Sequence, residues 1–139
     1  MSRRLDGLIR LQRWKVDEKR RALADLQALH AELTAKAEAL EAEVVAEQQS
    51  AVANGTAFAY RAYAEQVIQR RETLAESIAD VLQAMMKAQG ELSDAYQEAK
   101  RYEMAQDRAQ QRLMAEAARR EQIDLDEIGL NIYRRNRVG

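Results

Sequence analysis

The side chains able to do chemistry in this chain are carboxylates and one imidazole. Of 139 residues, 23 are Asp or Glu, one is His and none is Cys. Carboxylates at helical spacing can hold a metal pair when two helices each add a Glu-x-x-His step. The residue three before His30 is Gln27, so that ligand set lacks its acid. There is no cysteine nucleophile, no glycine-rich phosphate loop and no Gly-x-Ser-x-Gly turn. No pair of carboxylates is set in a cleft by the sequence pattern. The expected chemistry is therefore none: no catalytic residue, cofactor, metal or small-molecule substrate. His30 falls instead on an apolar stripe, where a polar member fixes helix register.

The elements that carry these residues are long helices. Not one proline occurs, and proline inside a helix costs about 3 kcal/mol. Apolar residues make up 47% and charged residues 32%, with one Phe and one Trp, the balance of alanine-rich amphipathic helix. No uncharged apolar run approaches the roughly 20 residues needed to cross a bilayer. Met1-Ser2-Arg3-Arg4 leads into Leu5-Asp6 and not into a signal-peptide stretch, so the chain reads as soluble and unprocessed. A net charge of −1 argues against a dedicated nucleic-acid binder.

Two tracts of seven-residue repeats meet at one break around Ala53-Asn54-Gly55-Thr56. In the first, Ile9, Val16, Leu23, His30, Ala37 and Val44 alternate with Leu5, Gln12, Lys19, Leu26, Leu33, Leu40 and Glu47 along one stripe. In the second, Tyr60, Val67, Leu74, Val81, Ala88, Ala95, Tyr102 and Ala109 alternate with Ala64, Arg71, Ile78, Met85, Leu92, Ala99, Gln106 and Leu113. Such a period keeps one stripe facing a partner helix. Trp14 lies off the stripe and is expected to pack beside it. Arg71 is expected to pair with Glu38 or Glu41 across the seam. Beyond Leu113 the apolar residues Ile123, Leu125, Ile128 and Ile132 suggest a shifted stripe.

The expected fold is all-α, two long helices in an antiparallel coiled-coil hairpin with an overhanging C-terminal helix: helix 3–50, turn 51–57, helix 58–136. Asn54-Gly55 tolerate positive φ, and Thr56 can cap the second helix. Folding back there pairs residue i with about 110 − i, and at 1.5 Å per residue the second arm exceeds the first by about 40 Å. Gly90 or Gly129 would shorten it only by breaking the helix. Phe58 and Tyr63 beside the turn either close the hairpin or form a docking tip. Charge is sorted along the chain. Residues 1–21 carry eight Lys or Arg against three acids, and residues 31–50 carry five Glu against Lys36. A field of that kind orients a molecule toward a charged partner.

Two terminal segments resemble a known family. Leu5-Asp6-Gly7-Leu8-Ile9-Arg10-Leu11-Gln12-Arg13, followed by Val16-Asp17-Glu18-Lys19-Arg20-Arg21-Ala22-Leu23, is similar to the first helix of FliJ, the flagellar type III export protein. Arg119-Arg120-Glu121-Gln122-Ile123-Asp124-Leu125-Asp126-Glu127-Ile128 resembles that family's C-terminal signature.

The resemblance implies a non-enzymatic stalk, similar to the central stalk of rotary ATPases. It would sit in the hexameric ring of the flagellar export ATPase, promote its assembly and activity, and link it to the transmembrane export gate. The place implied is cytoplasmic, peripheral to the inner membrane at the flagellar base, with export chaperones as further partners. Leu5, Leu8, Ile9 and Arg10 from one end and Glu121, Gln122, Asp126, Glu127 and Ile128 from the other would meet the ring. Val67, Arg71, Leu74 and Ile78 would meet the gate. Those four also lie on the proposed seam, so either the hairpin separates near the turn or one assignment is wrong. Two alternatives stand beside this expectation: a self-associating coiled-coil scaffold, and the equivalent stalk of a virulence type III secretion system.

Overall fold

The computed structural model describes the backbone of residues 2–55 and 57–138, and the side chains of residues 4–55 and 58–137. Two helices account for almost all of it, α1 (Ser2–Asn54) and α2 (Ala57–Val138), with no strand among the described residues. The chain is all-helical. Gly55 lies between the helices at φ 66°, the left-handed conformation that ends a helix and that glycine adopts without Cβ strain.

The connection is shorter than expected. α1 runs to Asn54 and not to residue 50, because Ala51-Val52-Ala53 contains no residue costing more than a few tenths of a kcal/mol in a helix. Asn54 closes the last turn by donating from Nδ2 to Ser50 Oγ at 3.2 Å. The capping role expected of Thr56 lies outside the described residues. Gly90 and Gly129 both sit inside α2 without interrupting it.

The chain divides into two compact units, one from Trp14 to Tyr96, the other made of the residues up to Arg13 and from Gln97 onward. In the Trp14–Tyr96 unit the buried side chains are Val16, Leu40, Val44, Val67, Val81 and Ala88, every one on the heptad stripe. Leu40, Val44 and Val67 form the core cluster, with Tyr63 and Leu74 packed against it. The tilted rings of Tyr60 and Tyr63 lie 5.9 Å apart, within the range of a favourable aromatic pair.

Partners within this unit fall along α2 as they rise along α1. Lys19 Nζ meets Glu91 Oε2 at 3.1 Å, as the 110 − i rule requires. Nearer the turn that rule gives 69 for Glu41 and 67 for Glu43, whose partners are Arg71 and Arg70. Trp14 is 59% exposed and does not pack beside the seam as expected, and Phe58 is 91% exposed, so of the two aromatic residues beside the turn only Tyr63 packs on the core.

In the second unit Ile9, Gln12 and Ala99 are buried, again all on the stripe. Arg13 Nε meets Glu103 Oε1 at 3.3 Å, and the Gln106 amide donates to the Asp6 carboxylate. Gln106 is thus a satisfied polar member of the seam. Every residue from 110 to 137 is exposed. Leu113, expected in the seam, is 64% exposed, since the pairing rule leaves it no partner in α1. Counted in sevens from Tyr60, Ile123 and Leu130 stay on the original row. Only Leu125, Ile128 and Ile132 depart from it, continuing from Met114 and Ala118. The end of α2 therefore carries two apolar rows, not one shifted row.

Candidate partner-binding surface

Polar interactions between the helices are those of a structural seam. Arg71 Nε and Nη2 donate to the two Glu41 oxygens at 2.6 and 2.8 Å, the fork geometry that suits guanidinium and carboxylate. The hydrogen bond from Arg71, and then its charge, hold the Glu41 carboxyl below the ordinary carboxylate value. Glu41 in turn raises Arg71. Desolvation, followed by the nearby Glu43 carboxylate, pushes the Tyr63 phenol above its usual value. The Tyr63 hydroxyl has no hydrogen-bond partner among the described residues. No group of three or more His, Cys, Asp or Glu there could hold a metal ion.

The residues expected to meet a ring fall in one unit but differ in availability. Ile9 is 4% exposed and serves packing, Leu5 is half-buried, and Leu8 and Arg10 face outward. Glu121, Gln122, Asp126, Glu127 and Ile128 are all exposed. Gln122 Nε2 donates to Asp126 Oδ1 at 3.2 Å, one turn apart on the same helix. The residues expected to meet a gate are largely taken. Val67 is 2% exposed, Leu74 packs on its cluster, Ile78 is half-buried and Arg71 is held by Glu41.

The family model for the flagellar FliJ protein matches residues 1–138. The chain belongs to the FliJ family. It matches no curated protein and no solved structure. Membership makes it a flagellar export protein, and no described helix is long and apolar enough to cross a membrane.

In this FliJ-family chain the C-terminal run expected to meet a partner carries one group of the exposed apolar residues. Met114, Leu125, Ile128 and Ile132 are 53 to 70% exposed, and Ile123 and Leu130 are 51 and 55% exposed. Sequence reading had marked Ile128 for contact and placed Ile123, Leu125 and Ile132 with it on a shifted stripe, but left Met114 and Leu130 out. Spacing of three, four and seven within the rows was the available signal. Arg135 and Arg137 occupy the last turn of α2, where positive charge is favoured by the helix dipole.

Proposed function

We propose that this FliJ-family chain is a non-enzymatic stalk: an antiparallel coiled coil whose second helix extends beyond the first and binds a ring-shaped export ATPase. The observation that carries this reading is the run 110–137, helical and exposed at every residue, with two apolar rows. A solvated helix needs neither row, whereas a helix enclosed by a ring meets protein on more than one side. Arg119, Arg120, Arg134, Arg135 and Arg137, interspersed with Glu121, Asp124, Asp126 and Glu127, suit adaptable polar contacts around those rows.

On this reading the stalk promotes ring assembly and hydrolysis, and works at the cytoplasmic face of the flagellar base. Purified chain added to the flagellar export ATPase is expected to raise its hydrolysis rate. Leu125→Glu with Ile128→Glu is expected to remove most of that stimulation while leaving helical content unchanged. Full stimulation by the double variant would reject the C-terminal rows as the contact.

The family resemblance also directs the export gate to Val67, Arg71, Leu74 and Ile78. Because these residues face α1, contact through them requires the helices to part near the turn. Covalently cross-linking positions 43 and 70, whose side chains meet at 3.3 Å, is then expected to block gate binding. Undiminished binding by the cross-linked chain would move the gate contact to another face.

A further inference from the structure

Beside its buried stripe, α2 carries a second row one residue further round. Ile68, Ala75, Ala79, Leu82, Met86 and Tyr96 recur at helical intervals. Ile68, Leu82, Met86 and Tyr96 are 44 to 73% exposed, while Val67, Val81 and Ala88 of the neighbouring row are buried. The row is flanked by opposite charges at its two ends. Arg20 shares a groove with Gln89, Ser93 and Tyr96, and Glu41 shares one with Arg71, Leu74 and Ala75. Basic charge thus borders the Tyr96 end, while at the Ala75 end Glu41 is paired with Arg71 and Glu72, between Ile68 and Ala75 on the row itself, adds an unbalanced acid.

We propose that this face binds a second copy of the chain, its α2 running antiparallel across a twofold axis near Ala79 and Leu82. Large then meets small: Leu82 packs on Ala79 of the partner subunit, and Met86 packs on Ala75 of the partner subunit. The same twofold carries Arg20 to Glu41 of the partner subunit, once at each end. A carboxylate already bound by Arg71 keeps lone pairs for a further donor. Parallel stacking would oppose Arg20 to its own copy, so charge selects the antiparallel arrangement. A face two helices wide, roughly 20 Å, along the 28-residue rise of about 42 Å gives on the order of 800 Å² per copy, the amount a standard interface buries on each side.

The test is sedimentation velocity on the full chain from about 1 to 200 μM, a span that brackets micromolar dissociation constants. A concentration-dependent dimer is expected, and Leu82→Glu with Met86→Glu is expected to weaken it at least about tenfold. Far-UV circular dichroism checks that the variant stays helical. Arg20→Glu and Glu41→Arg each place like charges at both ends and are expected to weaken self-association separately. Mixed together, the two single variants regain complementary pairs at both ends and are expected to form a heterodimer, read by native mass spectrometry. A monomer at every concentration overturns the proposal and leaves the row to a different protein's helix. A dimer indifferent to Leu82→Glu with Met86→Glu, or a mixture no tighter than its components, overturns this interface.

Discussion

Arg71 is a charged residue on a stripe that is otherwise largely apolar, and Glu41 decides what it does there. Because the Glu41 carboxyl is held below its ordinary value, the pair's contribution is complete above that ordinary value and is lost as pH falls through the lowered one. Both side chains are about half exposed, so the contribution is small and weakens with salt. Arg71→Leu is expected to raise the thermal midpoint near neutral pH, since leucine restores the stripe, and the gain is expected to grow on acidification below the ordinary carboxylate range. Melting curves of both proteins from pH 3 to 7 check the sign.

Glycine gives a second residue-scale contrast. Gly55 adopts positive φ, so Gly55→Ala is expected to cost about 1–2 kcal/mol. Gly90 has helical backbone and open space around a built Cβ, so Gly90→Ala is expected to add about 1 kcal/mol. Urea titrations of the two variants should therefore move in opposite directions. The role of Gly55 was legible in the sequence, because Asn54-Gly55 is a strong turn signal between periodic tracts. That Glu41 and not Glu38 takes Arg71 was not legible, because both lie within side-chain reach on a helix whose exact register the spacing leaves open.

At the scale of the helix, the seven-residue period named the buried residues well. All nine buried side chains among the described residues, Gln12 included, lie on the expected stripes. Period is readable because burial of one face is what selects it. Boundaries were less readable: Ala51-Val52-Ala53 carries no stop signal, and the helix simply continues to the first residue that can reverse it. The end of α2 was misread for a different reason. Two apolar rows superposed on one helix look like one displaced row until each is counted in sevens. The difference between the buried and exposed rows has a direct measure. Leu40→Ala is expected to cost about 2–5 kcal/mol, while Leu125→Ala, at a position 56% exposed, is expected to stay within about 0.5 kcal/mol. Parallel denaturation curves of the two single variants provide the comparison.

For the whole molecule, family and an all-helical fold could be read before structure, whereas which side chains are left exposed for a partner could not. Motif residues at 121–128 pointed to a segment that is exposed throughout, yet a motif does not distinguish Ile9, which packing consumes, from Leu8 beside it. Availability depends on what lies opposite, and a single sequence does not state that. Removing residues 110–139 is expected to leave the melting of the remaining helices little changed, because none of the described side chains from 110 to 137 is buried. The same truncation is expected to abolish stimulation of the export ATPase. Calorimetry and a hydrolysis assay on one preparation would separate the two effects.

The single connection at Gly55 also sets an order in time. Arg70 and Glu43 are 27 residues apart along the chain, Lys19 and Glu91 are 72 apart, and Asp6 and Gln106 are 100 apart. Each doubling of that separation adds about 0.6 kcal/mol of loop-closure entropy, and the core cluster of Leu40, Val44 and Val67 lies at the short end. Association of the helices is therefore expected to start there and close outward, as a zip does. Backbone amides around residues 40–44 and 67–74 should exchange with deuterium last, and those of residues 5–12 much earlier. The open ends of the paired helices would then be the part of the chain that separates most readily, and any parting near the turn, as the proposed gate contact requires, would have to overcome its most persistent contacts.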